Sequence, residues 1–155
     1  MPWIDYQYFV SLWIERCDRN TLDDGDRFIN LWIAFNGWMK GLFGENSTDA
    51  TLITKTKTYA QLEAGFQRLK ENADFNRYLI SIQKSPIIDM RNDNKIVTFD
   101  GNFTTYIDAI YQIRCNLFHG RKDVERDERD KELVSCAYNT LRPLFESVLH
   151  STNGR

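Results

Sequence analysis

The amino-acid sequence predicts an all-α protein, an up-and-down bundle of five or six helices built by one domain over residues 1–155. Two observations carry that expectation. In segment after segment, apolar residues recur at three-and-four spacing, the mark of helices that bury one stripe. Between these segments lie polar runs rich in cap and turn residues, with no repeat, low-complexity tract or second domain. At this length a single domain buries roughly 70% of its unfolded surface.

Taken in order, Trp3, Tyr6, Val10, Trp13, Ile14 and Cys17 outline a first amphipathic helix. Asp18 to Asp26 is a polar break whose aspartates offer N-caps for the next helix. There, Phe28, Leu31, Trp32, Phe35, Trp38, Met39 and Leu42 form one stripe, widened by Ile29 and Ile33, so this helix should be largely buried. Asn36 places an amide on the edge of that stripe. Gly41 and Gly44 are expected to stop the helix, and Glu45 to Lys57 reads as a polar, threonine-rich connection.

Thr58-Tyr-Ala-Gln61 has the form of a capping box ahead of a third helix bearing Tyr59, Leu62, Phe66 and Leu69. Phe75, Tyr78, Leu79 and Ile82 mark a fourth, ended at Ser85-Pro86. Ile87 to Gly101 is either a long loop or a small hairpin. Asn102 is placed to cap a fifth helix with Phe103, Tyr106, Ile107, Ile110, Ile113 and Leu117 on its apolar face, and Gly120 is its stop. Asp123 to Glu132 is dense in both charge signs and reads as a solvated helix start. The last helix carries Val134, Ala137, Tyr138, Leu141, Phe145 and Val148, with a kink expected at Pro143.

The net charge of −2 gives no general attraction to nucleic acid or membrane, so anion binding has to come from a local patch. The N-terminus has no basic region followed by an apolar run, and no stretch approaches the ~20 apolar residues of a membrane span. Cys17, Cys115 and Cys136 are scattered and lack CxxC spacing, which reads as reduced thiols of a cytoplasmic protein with no membrane partner.

Chemistry concentrates in Tyr111-Gln-Ile-Arg-Cys-Asn-Leu-Phe-His-Gly-Arg-Lys122, which holds an arginine, an asparagine, a histidine and two further basic residues without a carboxylate. His119 is the side chain best suited to exchange protons near neutral pH. Arg114 offers a permanently charged fork for phosphate oxygens. Asn116 can donate or accept a hydrogen bond, and Arg121 and Lys122 add phosphate-attracting charge just past the helix end. Asn36 is the residue from elsewhere in the chain placed to support them. Base, clamp and basic rim together fit phosphodiester chemistry better than acyl or hydride transfer, and the phosphate-cradling and nucleophile-elbow motifs are absent.

Metal-ligand spacing is missing too, since His119 and His150 are the only histidines and no carboxylate flanks His119. No metal or cofactor is therefore expected. A metal-independent nuclease points to RNA, whose 2′-hydroxyl attacks the adjacent phosphate once a base removes its proton. Geometry adds a constraint. On an unbroken helix, residues five apart diverge by about 140° and ~7.5 Å, so Arg114 and His119 do not form a tight pair on one face. Either the helix opens at His119-Gly120, or a second copy of the chain completes the site.

Arg114-Cys-Asn-Leu-Phe-His119 matches the R-x4-6-H motif of the HEPN superfamily, and the surrounding twelve residues resemble its bacterial members. The position of the motif near the end of the penultimate long helix, the helix that follows it, and Phe28-Ile-Asn-Leu-Trp-Ile-Ala-Phe-Asn36 upstream add to the resemblance. It implies a helical bundle that dimerises with two motifs facing across a shared cleft. It also implies a metal-independent endoribonuclease that leaves a 2′,3′-cyclic phosphate, in the setting of toxin–antitoxin or antiviral defence systems and with an antitoxin or defence-system partner protein.

Carried over by position, Arg114 and His119 are the catalytic pair: His119 acts as general base or acid and Arg114 stabilises charge on the phosphorane. Many members place Asn, Asp or His directly after the arginine, where this chain has Cys115 with Asn116 next. Members silenced by nucleotide transfer often carry a tyrosine two residues after the histidine; here that residue is Arg121. The alternative is a non-catalytic module that binds RNA or a nucleotide, or scaffolds a partner. A purely structural adaptor would pair Arg114 with an acid from another helix.

Overall fold

The structure, a computed structural model, describes residues 5–89, 95–118 and 128–153. Among the described residues it is all-α, with seven helices and one small hairpin. The helices are α1 (Tyr6–Arg16), α2 (Asp24–Phe43), α3 (Asp49–Lys57), α4 (Ala60–Leu69), α5 (Ala73–Gln83), α6 (Phe103–Phe118) and α7 (Glu128–Asn153). Between α5 and α6, β1 (Ile87–Ile88) pairs antiparallel with β2 (Ile96–Val97), which resolves the loop-or-hairpin alternative in favour of the hairpin.

Seven helices replace the expected five or six chiefly because the connection over Glu45–Lys57 folds as α3. Thr48 caps it, its hydroxyl accepting from the Thr51 amide at 3.3 Å, and it buries only Leu52, Ile53 and Thr56. The Thr58 hydroxyl does not form the capping box expected of it. It donates to the Lys55 carbonyl at 2.9 Å, closing α3, while α4 starts from Tyr59 without a side-chain cap. Gly41 does not end α2 either: it lies inside the helix, close against the Tyr6 side chain of α1. The stop is Gly44, at φ 125°, a backbone conformation that favours glycine.

The expected stripes bury, apart from Leu42 at the end of α2, which is exposed. In α2, Phe28, Leu31, Trp32, Phe35, Trp38 and Met39 all face the core, where Phe35 and Trp38 pack on Phe145 of α7. Phe66 of α4 contacts Phe75, Phe103 and Tyr106, joining α5 and α6. Inside this apolar mass the Tyr106 hydroxyl donates to Thr140 Oγ1 at 2.8 Å, and Thr140 donates to the Cys136 carbonyl at 2.8 Å, so no hydroxyl is left unpaired there. Burial pushes the Tyr106 phenol well above its usual range. Helix α7 packs against α2, α4, α5 and α6 and continues through Pro143.

Two arginines of α7 lock neighbouring segments. Arg142 binds Asp18 through Nη1 at 2.9 Å and Nη2 at 3.3 Å, and also holds Glu146 and the Tyr138 hydroxyl. Arg129 reaches the last turn of α5, donating to the carbonyls of Ser81 at 2.7 Å, Ile82 at 3.2 Å and Ser85 at 2.9 Å. Asp130 beside it is buried. The charges around Arg129 are thus not all a solvated face, as the mixed-charge pattern suggested. No helix among the described residues is long and apolar enough to cross a membrane.

Candidate functional site

Asp108, Tyr111, Arg114 and Phe118 follow one another on α6 at spacings of three and four, so they share one face. Helix α3 lies along that face in the opposite direction. At one end Lys57 Nζ meets Asp108 Oδ1 at 2.5 Å. At the other, Asp49 Oδ2 accepts from the Tyr111 hydroxyl at 3.5 Å and stands 3.9 Å from Arg114 Nη1. Trp32 of α2 completes the surroundings, its ring 6.0 Å from that of Tyr111.

Arg114 is therefore held mainly by aromatic faces. Its guanidinium carbon lies 4.4 Å from the Phe118 ring centre and 5.9 Å from those of Trp32 and Tyr111. Such contacts attract a cation through the ring quadrupole without using its N–H groups. Nη1 also approaches Cys115 Sγ at 3.8 Å, and Nε is buried without a hydrogen-bond partner among the described residues. At 3.9 Å the Asp49 contact is an ion pair but not a hydrogen bond, and between partly exposed groups it contributes at most about 1 kcal/mol. Among the described residues, the arrangement leaves a positively charged fork with donor capacity to spare.

Tyr111 is pushed up to about 12, by burial first and then by the neighbouring Cys115 and Asp49, with Arg114 opposing. At neutral pH it is a hydroxyl that donates to Asp49.

Asn116 lies on another side of α6 and is only 2% exposed. Its Oδ1 accepts from Gln112 Nε2 at 2.9 Å and its Nδ2 donates to the Ile88 carbonyl at 2.9 Å. That amide ties the hairpin to α6; it is not directed at a ligand beside Arg114. Asn36 is half-buried on α2, and no described contact joins it to Arg114. His119, Arg121 and Lys122 lie outside the described residues.

The structure thus gathers around Arg114 two residues of its own helix, Tyr111 and Phe118, and two that sequence reasoning did not assign to it, Trp32 and Asp49. Trp32 was legible as a core residue only. Asp49 carried one usable signal, its place directly after the capping Thr48, within a stretch too polar to suggest a helix. The segment that lacks a carboxylate in sequence acquires one in space.

Comparison of the chain with protein-family models, curated proteins and solved structures returned no match.

Proposed function

We propose that this protein is a HEPN-like, metal-independent endoribonuclease, acting as a homodimer in a toxin or antiviral-defence setting in the cytoplasm. The observation that supports it is Arg114: a half-buried guanidinium at the end of α6, seated on aromatic rings with Nε unpartnered among the described residues, five positions before His119. His119 takes the 2′-hydroxyl proton or returns one to the leaving 5′-oxygen. Arg114 stabilises the charge that builds on the phosphorane oxygens. Arg121 and Lys122 draw the RNA backbone toward the site. Asn116, engaged with Gln112 and Ile88, serves by holding the hairpin and the end of α6 in register.

Purified protein is expected to cleave RNA in excess EDTA and to leave 2′,3′-cyclic phosphate ends. His119→Ala should abolish cleavage with helicity unchanged. Cleavage that survives this substitution would sink the assignment.

The Arg114–Asp49 ion pair favours a second reading, a non-catalytic module that binds RNA or a nucleotide, or an adaptor in which this pair is structural. RNA binding without turnover, the same in His119→Ala as in the parent, would select it.

A further inference from the structure

We propose that Asp49 sets the strength of anion binding at Arg114: its carboxylate stands where a phosphate oxygen would approach the guanidinium, and it has to yield that place. The inference rests on Arg114 being the phosphate-binding residue.

Aromatic rings cover the guanidinium through Phe118, Trp32 and Tyr111, and rings supply no oxygen acceptor. Asp49 is the one carboxylate within ion-pair distance of it among the described residues. It lies 3.9 Å away, close enough to lower the local positive potential yet too far to occupy an N–H group. Its side chain is 44% exposed, against 21% for Arg114, and only a long 3.5 Å hydrogen bond from Tyr111 ties it there, so water is open to it. It also keeps a favourable place without the arginine, because it sits in the first turn of α3, where the helix dipole attracts negative charge. The helix itself is pinned to α6 at its far end by Lys57 and Asp108. A phosphate reaching Arg114 would therefore displace the Asp49 side chain and not α3.

Asp49→Asn keeps the size and the acceptor for Tyr111 and removes the charge. Its effect is read on the full chain by fluorescence anisotropy with a 2′-O-methyl oligoribonucleotide, which lacks the attacking hydroxyl. The asparagine variant should bind about two- to fivefold more tightly than the parent, and Asp49→Ser should move the same way. The gain should vanish when Arg114→Gln is added. Circular dichroism controls for helicity. If Arg114→Gln weakens binding while neither Asp49 variant tightens it, the role of Asp49 is overturned and Arg114 remains a phosphate residue. If Arg114→Gln binds as the parent does, the reading of Arg114 fails and takes this inference with it.

Discussion

Arg114 is positioned by shape and polarity more than by hydrogen bonding, and that determines which replacement it tolerates. The Phe118 ring accepts a flat guanidinium at 4.4 Å, whereas a lysine ammonium is compact, strongly hydrated and unable to present a two-pronged fork. Arg114→Lys should therefore keep its charge and its fold yet reduce the rate of RNA cleavage by roughly a hundredfold, the effect of losing one donor to a developing oxyanion. A lysine variant as fast as the parent would show that charge alone suffices. Tyr111 offers a test of the same surroundings by pH. Its folded-state value, pushed up to about 12 from 10.0, means that the folded protein holds this proton more tightly than the unfolded chain. The contribution is complete below pH 10 and is lost as the pH rises toward 12. Raising the pH from 9 to 11 should accordingly lower the urea midpoint of the parent more than that of Tyr111→Phe; equal losses would argue against a raised Tyr111.

Among the elements, all six helices expected from sequence formed, and the plainest were those with a wide apolar stripe. Phe28 to Met39 leave α2 no alternative to burial, and α6 announces itself through Phe103, Tyr106, Ile107, Ile110 and Ile113. Helix α3 was illegible because one turn of contact, Leu52, Ile53 and Thr56, is all that it buries, and threonine-rich sequence has modest helix propensity. Its formation follows from docking on α6, a tertiary effect that local periodicity does not contain. The same holds for the site: Arg114 was readable from its neighbours in sequence, but Asp49 lies 62 positions from the Tyr111 it contacts. Arg129 was hidden in the same way, inside a charge run that looked solvated. Its fork on the Ser81, Ile82 and Ser85 carbonyls substitutes for the hydrogen bonds that end with α5. Arg129→Lys cannot span those acceptors, and it should cost about 1–3 kcal/mol in urea unfolding and speed amide exchange in the last turn of α5. An unchanged midpoint and exchange pattern would assign the fork no role.

At the scale of the whole molecule, the proposed ribonuclease activity has to reconcile a net charge of −2 with a polyanionic substrate. The proposed two-fold dimer would do so by doubling the local basic patch. It would also address the offset along the chain: were the helix to continue unbroken, residues five apart would point about 140° from one another, and the arginine of one copy would face the histidine of its partner more readily than its own. Subunit mixing tests this arrangement. Arg114→Ala and His119→Ala should each be inactive alone. Combined after unfolding and refolding, half of the dimers carry one variant of each kind, and in these one of the two arginine–histidine pairs across the shared cleft retains an intact arginine and an intact histidine from different copies. Cleavage should then return to about a quarter of the parent rate if each pair works independently. A mixture as inactive as its components, with sedimentation showing that mixed dimers form, would place both residues of a working site in one copy or require all four in a shared cleft. A parent that sediments as a monomer at activity concentrations would remove the dimer from the mechanism altogether, and the burden of bringing His119 to Arg114 would fall on the chain beyond Phe118.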